Sequence, residues 1–237
     1  MNRDFFNKLK RSTLLNQGYH IIIDRDRNLN FVKEENEKIL SISVPYSRKD
    51  GTLYSASSSI IFTKIQKLFT DLCFKAIKGN LNFIPDSKWL SEQYKNATVS
   101  TGVKVQSPKG IIYSEFKDYS LKDYLNAELD ECQEVDLYKD YLDHYLRVSA
   151  EPFFTGIPDV VCLDKLTDNK DNYHLALYLN GIPPLKKIVL MYVVGNPQKE
   201  EALQKYKNQL SSIPSNNSIE AILYSINQVE SYFSKEV

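Results

Sequence analysis

The sequence is poor in the residues that announce chemistry most sharply. Eight glycines are spread over 237 residues, and none forms the Gly-rich turn that cradles a phosphate. Histidine occurs three times, at His20, His144 and His174, never at the i, i+4 spacing of a helical zinc site. Nor does a hydroxyl stand two residues after His20 or His174 to hold phosphate, as in a paired-histidine phosphodiesterase. The three cysteines, Cys73, Cys132 and Cys162, are odd in number and far apart. That argues against a disulfide framework or a Cys-based zinc site and makes a reducing cytoplasm the simplest home. No excess of charge remains, because 30 acids cancel 30 bases. Global attraction to nucleic acid or membrane is thereby excluded, while a local patch is not. Apolar runs are too short to span a bilayer. Met1 to Lys10 mixes charges with apolar residues, unlike a secretory signal.

Aromatics are abundant: 16 Tyr and 11 Phe. They suit an aromatic-rich core or an aromatic-lined pocket. The length is enough for one domain with a substantial core. We expect a single α/β domain over 1–237, its core at about residues 19–195 and a helical hairpin at about 197–237.

Periodicity and breakers give the elements. Asp4 to Gln17 reads as a short helix stopped by Gly18. Tyr19–Asp24 and Lys38–Val44 read as strands, with Leu29–Val32 a possible hairpin return after a turn at Asp24–Asn28. Pro45 to Ser58 reads as loop. Ser59–Ile77 carries apolar residues near a 3.6 period and reads as a helix, followed by a short strand at Leu81–Ile84 and a helix at Asp86–Tyr94. Strand, loop, helix, strand from Lys38 to Ile84 implies a crossover, hence a largely parallel, Rossmann-like sheet flanked by helices. Val103–Val105, Ile111–Phe116 and Ile188–Val194 read as further strands. Leu121–Glu131, with Ser120 as cap, and Asp136–Val148 read as helices, the latter with Tyr138, Tyr141, Tyr145 and Val148 on one stripe. Pro152 is expected to end that second helix. Gln198–Leu210 and Ile219–Phe233 read as amphipathic C-terminal helices.

Three places could carry chemistry. Ser43 falls at the carboxyl end of a strand, where open α/β sheets bind ligands. A serine needs an activating base there, and the plain alternative is a strand-end hydroxyl. Tyr145 and Glu151 put a phenol and a carboxylate close together, a pair suited to holding an ammonium group and moving its proton. A core Tyr stripe and a solvated terminal Glu are the plain alternative. Pro158-Asp159 with Asp164-Lys165 is a poor version of the acid, spacer, acid-x-Lys pattern of metal nucleases. Lys186-Lys187 and Lys199–Lys207 form a modest basic concentration, read as a solvated helix face.

Four blocks in order resemble the tRNA-dependent cyclodipeptide synthases. They are Ile42-Ser43-Val44-Pro45-Tyr46-Ser47, then Ser107 to Phe116, then Ala150-Glu151-Pro152-Phe153-Phe154-Thr155-Gly156-Ile157-Pro158-Asp159, and Tyr173-His174. The likeness spans Ile39 to Val194. It departs from the family in one respect above all. The family sets Tyr and Glu at i and i+4, where this chain has Tyr145 and Ser149, with Glu151 two further on. The resemblance implies a Rossmann-like domain without nucleotide motifs, no cofactor and no metal. Two aminoacyl-tRNAs per cycle would be its partners. Ser43 would take the first aminoacyl group as an ester, and Glu151 with Tyr145 would hold its amino group. Tyr173 would support the reacting ester. Tyr46, Ser47, Phe153 and His174 would line the substrate. Cyclisation would release a diketopiperazine. Two other readings stand beside it: a non-catalytic cytoplasmic interaction protein, such as a toxin-neutralising partner, and a metal-dependent nuclease using Asp159.

Overall fold

A computed structural model describes residues 13–23, 28–47, 49–75 and 97–235. The expected strand at Leu81–Ile84 and helix at Asp86–Tyr94 lie outside the described residues, as does most of the expected first helix. The chain divides into two compact units. One comprises Met1–Ile60, Ser100–Lys104 and Tyr113–Pro158, the other Ile61–Val99, Val105–Ile112 and Asp159–Val237.

The first part of the chain runs through α1 (Thr13–Asn16) and strands β1 (His20–Ile23), β2 (Asn28–Glu35), β3 (Lys38–Pro45), β4 (Leu53–Tyr54) and β5 (Ser57–Phe62). With β6 (Val99–Ser100), the main sheet has the order β1-β2-β3-β5-β6. It is antiparallel throughout, which corrects the expected parallel, Rossmann-like sheet. For β2 and β3 the physical reason lies in two residues. Glu35 pairs directly with Lys38, so Asn36 and Glu37 alone turn the chain. Asn36 takes a left-handed φ of 47°, which Asn tolerates and which the tight turns of hairpins require. A two-residue connection can join only antiparallel strands; a parallel pair needs a crossover of a dozen residues or more. The expected helix at Ser59–Ile77 also starts late. Ser58, Ile60 and Phe62 are buried in alternation, the two-residue period of a strand, and α2 (Thr63–Phe69) begins only after it. A π turn (Thr70–Lys75) continues that helix.

β7 (Lys104–Ser107) and β8 (Gly110–Tyr113) form a separate two-stranded sheet. α3 (Leu121–Leu125) follows, capped as expected by Ser120, whose hydroxyl accepts from the Asp123 amide. It ends early because Asn126 turns left-handed at φ 51°. β9 (Glu131–Cys132) pairs with β4. α4 (Val135–Tyr145) runs into a π turn (Leu146–Ala150) and then α5 (Glu151–Gly156). Pro152 therefore does not stop the helix. A proline inside a helix lacks an N–H and its ring clashes with the carbonyl four residues back; the wider π turn just before it relieves both.

In the second unit α6 (Val160–Leu166) and α7 (Asn172–Leu175) precede α8 (Pro183–Val194). The expected strand at Ile188–Val194 is thus the second half of a helix. Its β-branched residues suggested a strand, yet an unbroken apolar run fits a buried helix equally well. The punctuation decides: prolines at the first turn and Gly195 as left-handed C-cap at φ 70° are helix start and stop signals. Leu185 to Tyr192 are all buried. α9 (Lys199–Ser211) and α10 (Asn217–Phe233) fall close to their expected positions. Leu203, Tyr206, Ala221, Ile226 and Val229 join Phe69, Cys73, Ile188 and Val189 in one core, so these two helices help build that core.

Candidate functional site

The first unit holds a buried polar cluster around Tyr145. α4 points Tyr138, Tyr141 and Tyr145 inward, since i, i+3 and i+7 share a helix face. All three are fully buried, and each phenol finds a partner. Tyr138 donates to the Tyr54 carbonyl at 2.6 Å. Tyr141 donates to the Tyr119 carbonyl at 3.0 Å and accepts from the Ala56 amide at 2.9 Å. Tyr145 donates to Asp118 Oδ1 at 2.8 Å and lies 2.9 Å from Ser58 Oγ. Burial pushes all three phenols above their ordinary range. Val148, expected on the same stripe, is exposed, because the π turn shifts the helical phase.

Thr101 completes the cluster. Its amide donates to the Ser58 carbonyl at 2.9 Å, and its Oγ1 accepts from the Ser58 amide at 2.9 Å. Gly102 follows at φ 66°, and a Cβ there would collide with the Asp118 carboxylate. The protons can be counted. Thr101 has one hydroxyl hydrogen and two acceptors in reach, the Ser58 carbonyl at 3.1 Å and Asp118 Oδ1. If Asp118 carries a proton it donates to Thr101, whose own hydrogen then serves Ser58. Burial raises the Asp118 carboxyl, against the opposing pull of hydrogen bonds from Thr101 and Tyr145. A raised folded-state value means the Asp118 contribution to stability is whole below the ordinary value of 3.8 and is lost as pH rises through the folded value. Asp118→Asn is therefore expected to flatten the pH dependence of the thermal midpoint. Wild type should lose ground relative to this variant from pH 4 upward, and two parallel curves would rule out the protonated acid.

The residues expected from sequence are placed as follows. Ser43 lies on β3 opposite Asn30. It is half-buried, on the face opposite Leu40, Ile42 and Val44. Glu151 opens α5 and is exposed; its charge acts with burial and Glu35 to raise the Tyr19 phenol. Neither Ser43 nor Glu151 is bonded to Tyr145 among the described residues, whose hydroxyl is taken by Ser58 and Asp118. Tyr46 is buried and bridges to Leu53. Ser47 closes a turn, its amide donating to the Thr52 carbonyl at 2.8 Å, and helps hold the Asp50 carboxyl down at about 2. Phe153 is a core residue, edge-on to Phe116 at 5.3 Å. Tyr173 and His174 belong to the second unit, on α7. Tyr173 is 43% exposed, and His174 Nδ1 lies 2.8 Å from Asp171. Sequence reasoning missed Ser58, Thr101 and Asp118; their separation along the chain leaves no local signal to find them by.

The second unit has its own polar core. Lys187 donates to the Asp164 carbonyl and Oδ1, both at 2.7 Å, and to Asp168 Oδ1 at 2.8 Å. Asn196 Nδ2 donates to Asp164 Oδ2 at 2.7 Å. Lys186, its neighbour, is fully buried, 5.0 Å from the Phe69 ring centre, and burial pushes its ammonium down to about 7. The expected solvated basic face therefore does not include this pair. Asp159, the acid of the nuclease reading, caps α6 by accepting from the Cys162 amide at 2.8 Å. Among the described residues no group of three or more His, Cys, Asp or Glu is placed to hold a metal ion. A cavity of about 450 Å³ opens beside Asp168, Lys170, Lys187, Glu201, Lys205 and Tyr206, its charges mixed in sign. Among the described residues no helix is long and apolar enough to cross a membrane.

No family model, curated protein or solved structure matches this chain.

Proposed function

We propose that this chain is a non-catalytic module that acts by binding another protein, as a toxin-neutralising protein does. The observation that carries the reading is the state of Tyr145. Its ring is fully buried and its hydroxyl is spent on Ser58 and Asp118. A phenol that must hold a substrate amine needs a free donor or acceptor facing a cavity. Tyr138 and Tyr141 are likewise consumed internally. The heavy aromatic content thus supports a rigid scaffold, on which function falls to exposed side chains.

One observation favours the aminoacyl-tRNA-dependent synthase as a second reading. The π turn at Leu146–Ala150 lies between Tyr145 and Glu151, where an inserted bulge would restore the family's spacing. Against it stands the antiparallel sheet, which is not the scaffold that the resemblance implies.

Expression in a bacterial host separates the two. The medium is assayed for diketopiperazines by mass spectrometry, with wild type compared to Ser43→Ala. No product above the host background is expected from either. Product that depends on Ser43 would overturn the binding-module reading in favour of two aminoacyl-tRNA substrates.

A further inference from the structure

The first unit exposes three large apolar side chains in one region: Leu129 at 64%, Tyr54 at 38% and Leu137 at 36%. Their proximity follows from the bonding around them. Tyr54 pairs with Glu131 where β4 meets β9, and Leu129 stands two residues before Glu131. Tyr138 reaches from the first turns of α4 to the Tyr54 carbonyl, so the backbone that carries Leu137 lies within one tyrosine side chain's reach of β4. Leu53, Cys132 and Tyr138 turn inward and are buried, so the outward set forms a face with a firm underside.

The same stretch concentrates acid in a chain that is neutral overall. Between Glu128 and Asp140 lie Glu128, Asp130, Glu131, Glu134, Asp136 and Asp140 against the single base Lys139. Asp130 has a structural duty, accepting from the Lys122 amide at 2.8 Å. Asp136 sits in the first turn of α4, where the helix dipole favours an anion. Glu128, Glu131, Glu134 and Asp140 are exposed, and no ion pair among the described residues uses them. These duties explain Asp130 and Asp136, and the other four carry like charge along one short stretch. An apolar centre with a predominantly acidic rim is complementary to a cationic, partly apolar surface: burial supplies affinity, and the rim supplies steering and selectivity.

We infer that the face formed by Tyr54, Leu129 and Leu137, flanked along the chain by Glu128, Glu131, Glu134 and Asp140, docks a basic protein. The inference rests on the binding-module reading and names the partner's chemistry. It is tested on the full chain, isotopically labelled for amide spectra and titrated with a short peptide of alternating Leu and Lys. Ser–Lys and Leu–Glu peptides of equal length serve as controls. Shifts are expected at 53–54 and 128–140 with the Leu–Lys peptide alone. Affinity should fall about tenfold in Leu129→Ser/Leu137→Ser, and by a similar factor in Glu131→Gln/Glu134→Gln/Asp140→Asn. All these positions are exposed, and an unchanged circular dichroism spectrum checks that the fold survives. Equal binding of the Ser–Lys peptide would reduce the face to ionic adhesion and overturn the inference. So would shifts mapping elsewhere, unaltered affinity in both variants, or no binding. The parent reading fails on a different observation, Ser43-dependent diketopiperazine, so the two failures are distinguishable.

Discussion

Lys187→Ala is expected to destabilise the second unit by about 3–5 kcal/mol, the largest effect of any single charge removal here. The ammonium spends its donors on the Asp164 carbonyl, Asp164 Oδ1 and Asp168 Oδ1. Its side chain is 10% exposed and that of Asp164 only 7%. Alanine would leave the Asp164 carboxylate buried with Asn196 as its remaining partner. An uncompensated buried charge costs more than its ion pair contributes, so the deletion reads out the penalty rather than the net worth of the bridge. Replacing both partners, as Asp164→Leu with Lys187→Met, should therefore restore most of the loss. Urea unfolding followed by circular dichroism at 222 nm measures both, since α6, α8, α9 and α10 supply much of that signal. A loss under about 1 kcal/mol for Lys187→Ala would show that water reaches the pair and that the bridge behaves as a surface one.

Tyr145→Ala is expected to cost the first unit a similar amount, about 3–5 kcal/mol, through the cavity left by a fully buried ring. Tyr145→Phe keeps the ring packed and isolates the hydroxyl. It should cost about 1–3 kcal/mol, because Ser58 Oγ and Asp118 lose a partner where water has little access. The pair of variants divides packing from bonding. Equal losses would mean that the ring contributes nothing beyond its hydroxyl. A neutral Tyr145→Phe would free the phenol for other work and weaken the argument that it is committed to the scaffold.

Much of the local structure could be read from the chain because local signals fix it. Gly18, at φ 86°, does end a helix, Ser120 does cap one, and α9 and α10 follow their apolar spacing. The sheet direction was lost at Ser57–Phe62. The crossover from Lys38 to Ile84 was built on a helix starting at Ser59, whereas this stretch is a strand beside β3 in the antiparallel sheet. Ile188–Val194 was misread because a helix buried on all sides shows no period; Pro183-Pro184 and Gly195 were the usable clues. The π turn at Leu146–Ala150 has no sequence signature beyond Pro152. As for the candidate site, Tyr145 was legible as part of an inward stripe, but its partners were not. Ser58, Thr101 and Asp118 meet it through tertiary folding alone, and period or spacing carries no trace of such a meeting.

The interleaving of the two units along the chain also bears on how the protein is made. Each unit is assembled from separated stretches, and the first stays incomplete until Pro158 has been added. The β2–β3 hairpin, closed by two residues, can zip within microseconds of emerging from the ribosome. Residues Ile61–Val99 emerge early yet belong with Asp159–Val237, which come last, so apolar residues such as Phe69 and Cys73 must wait uncovered for α8 and α10. At synthesis rates of about 5–20 residues per second that wait lasts roughly ten seconds, long enough for a holding chaperone to matter to the yield of folded protein.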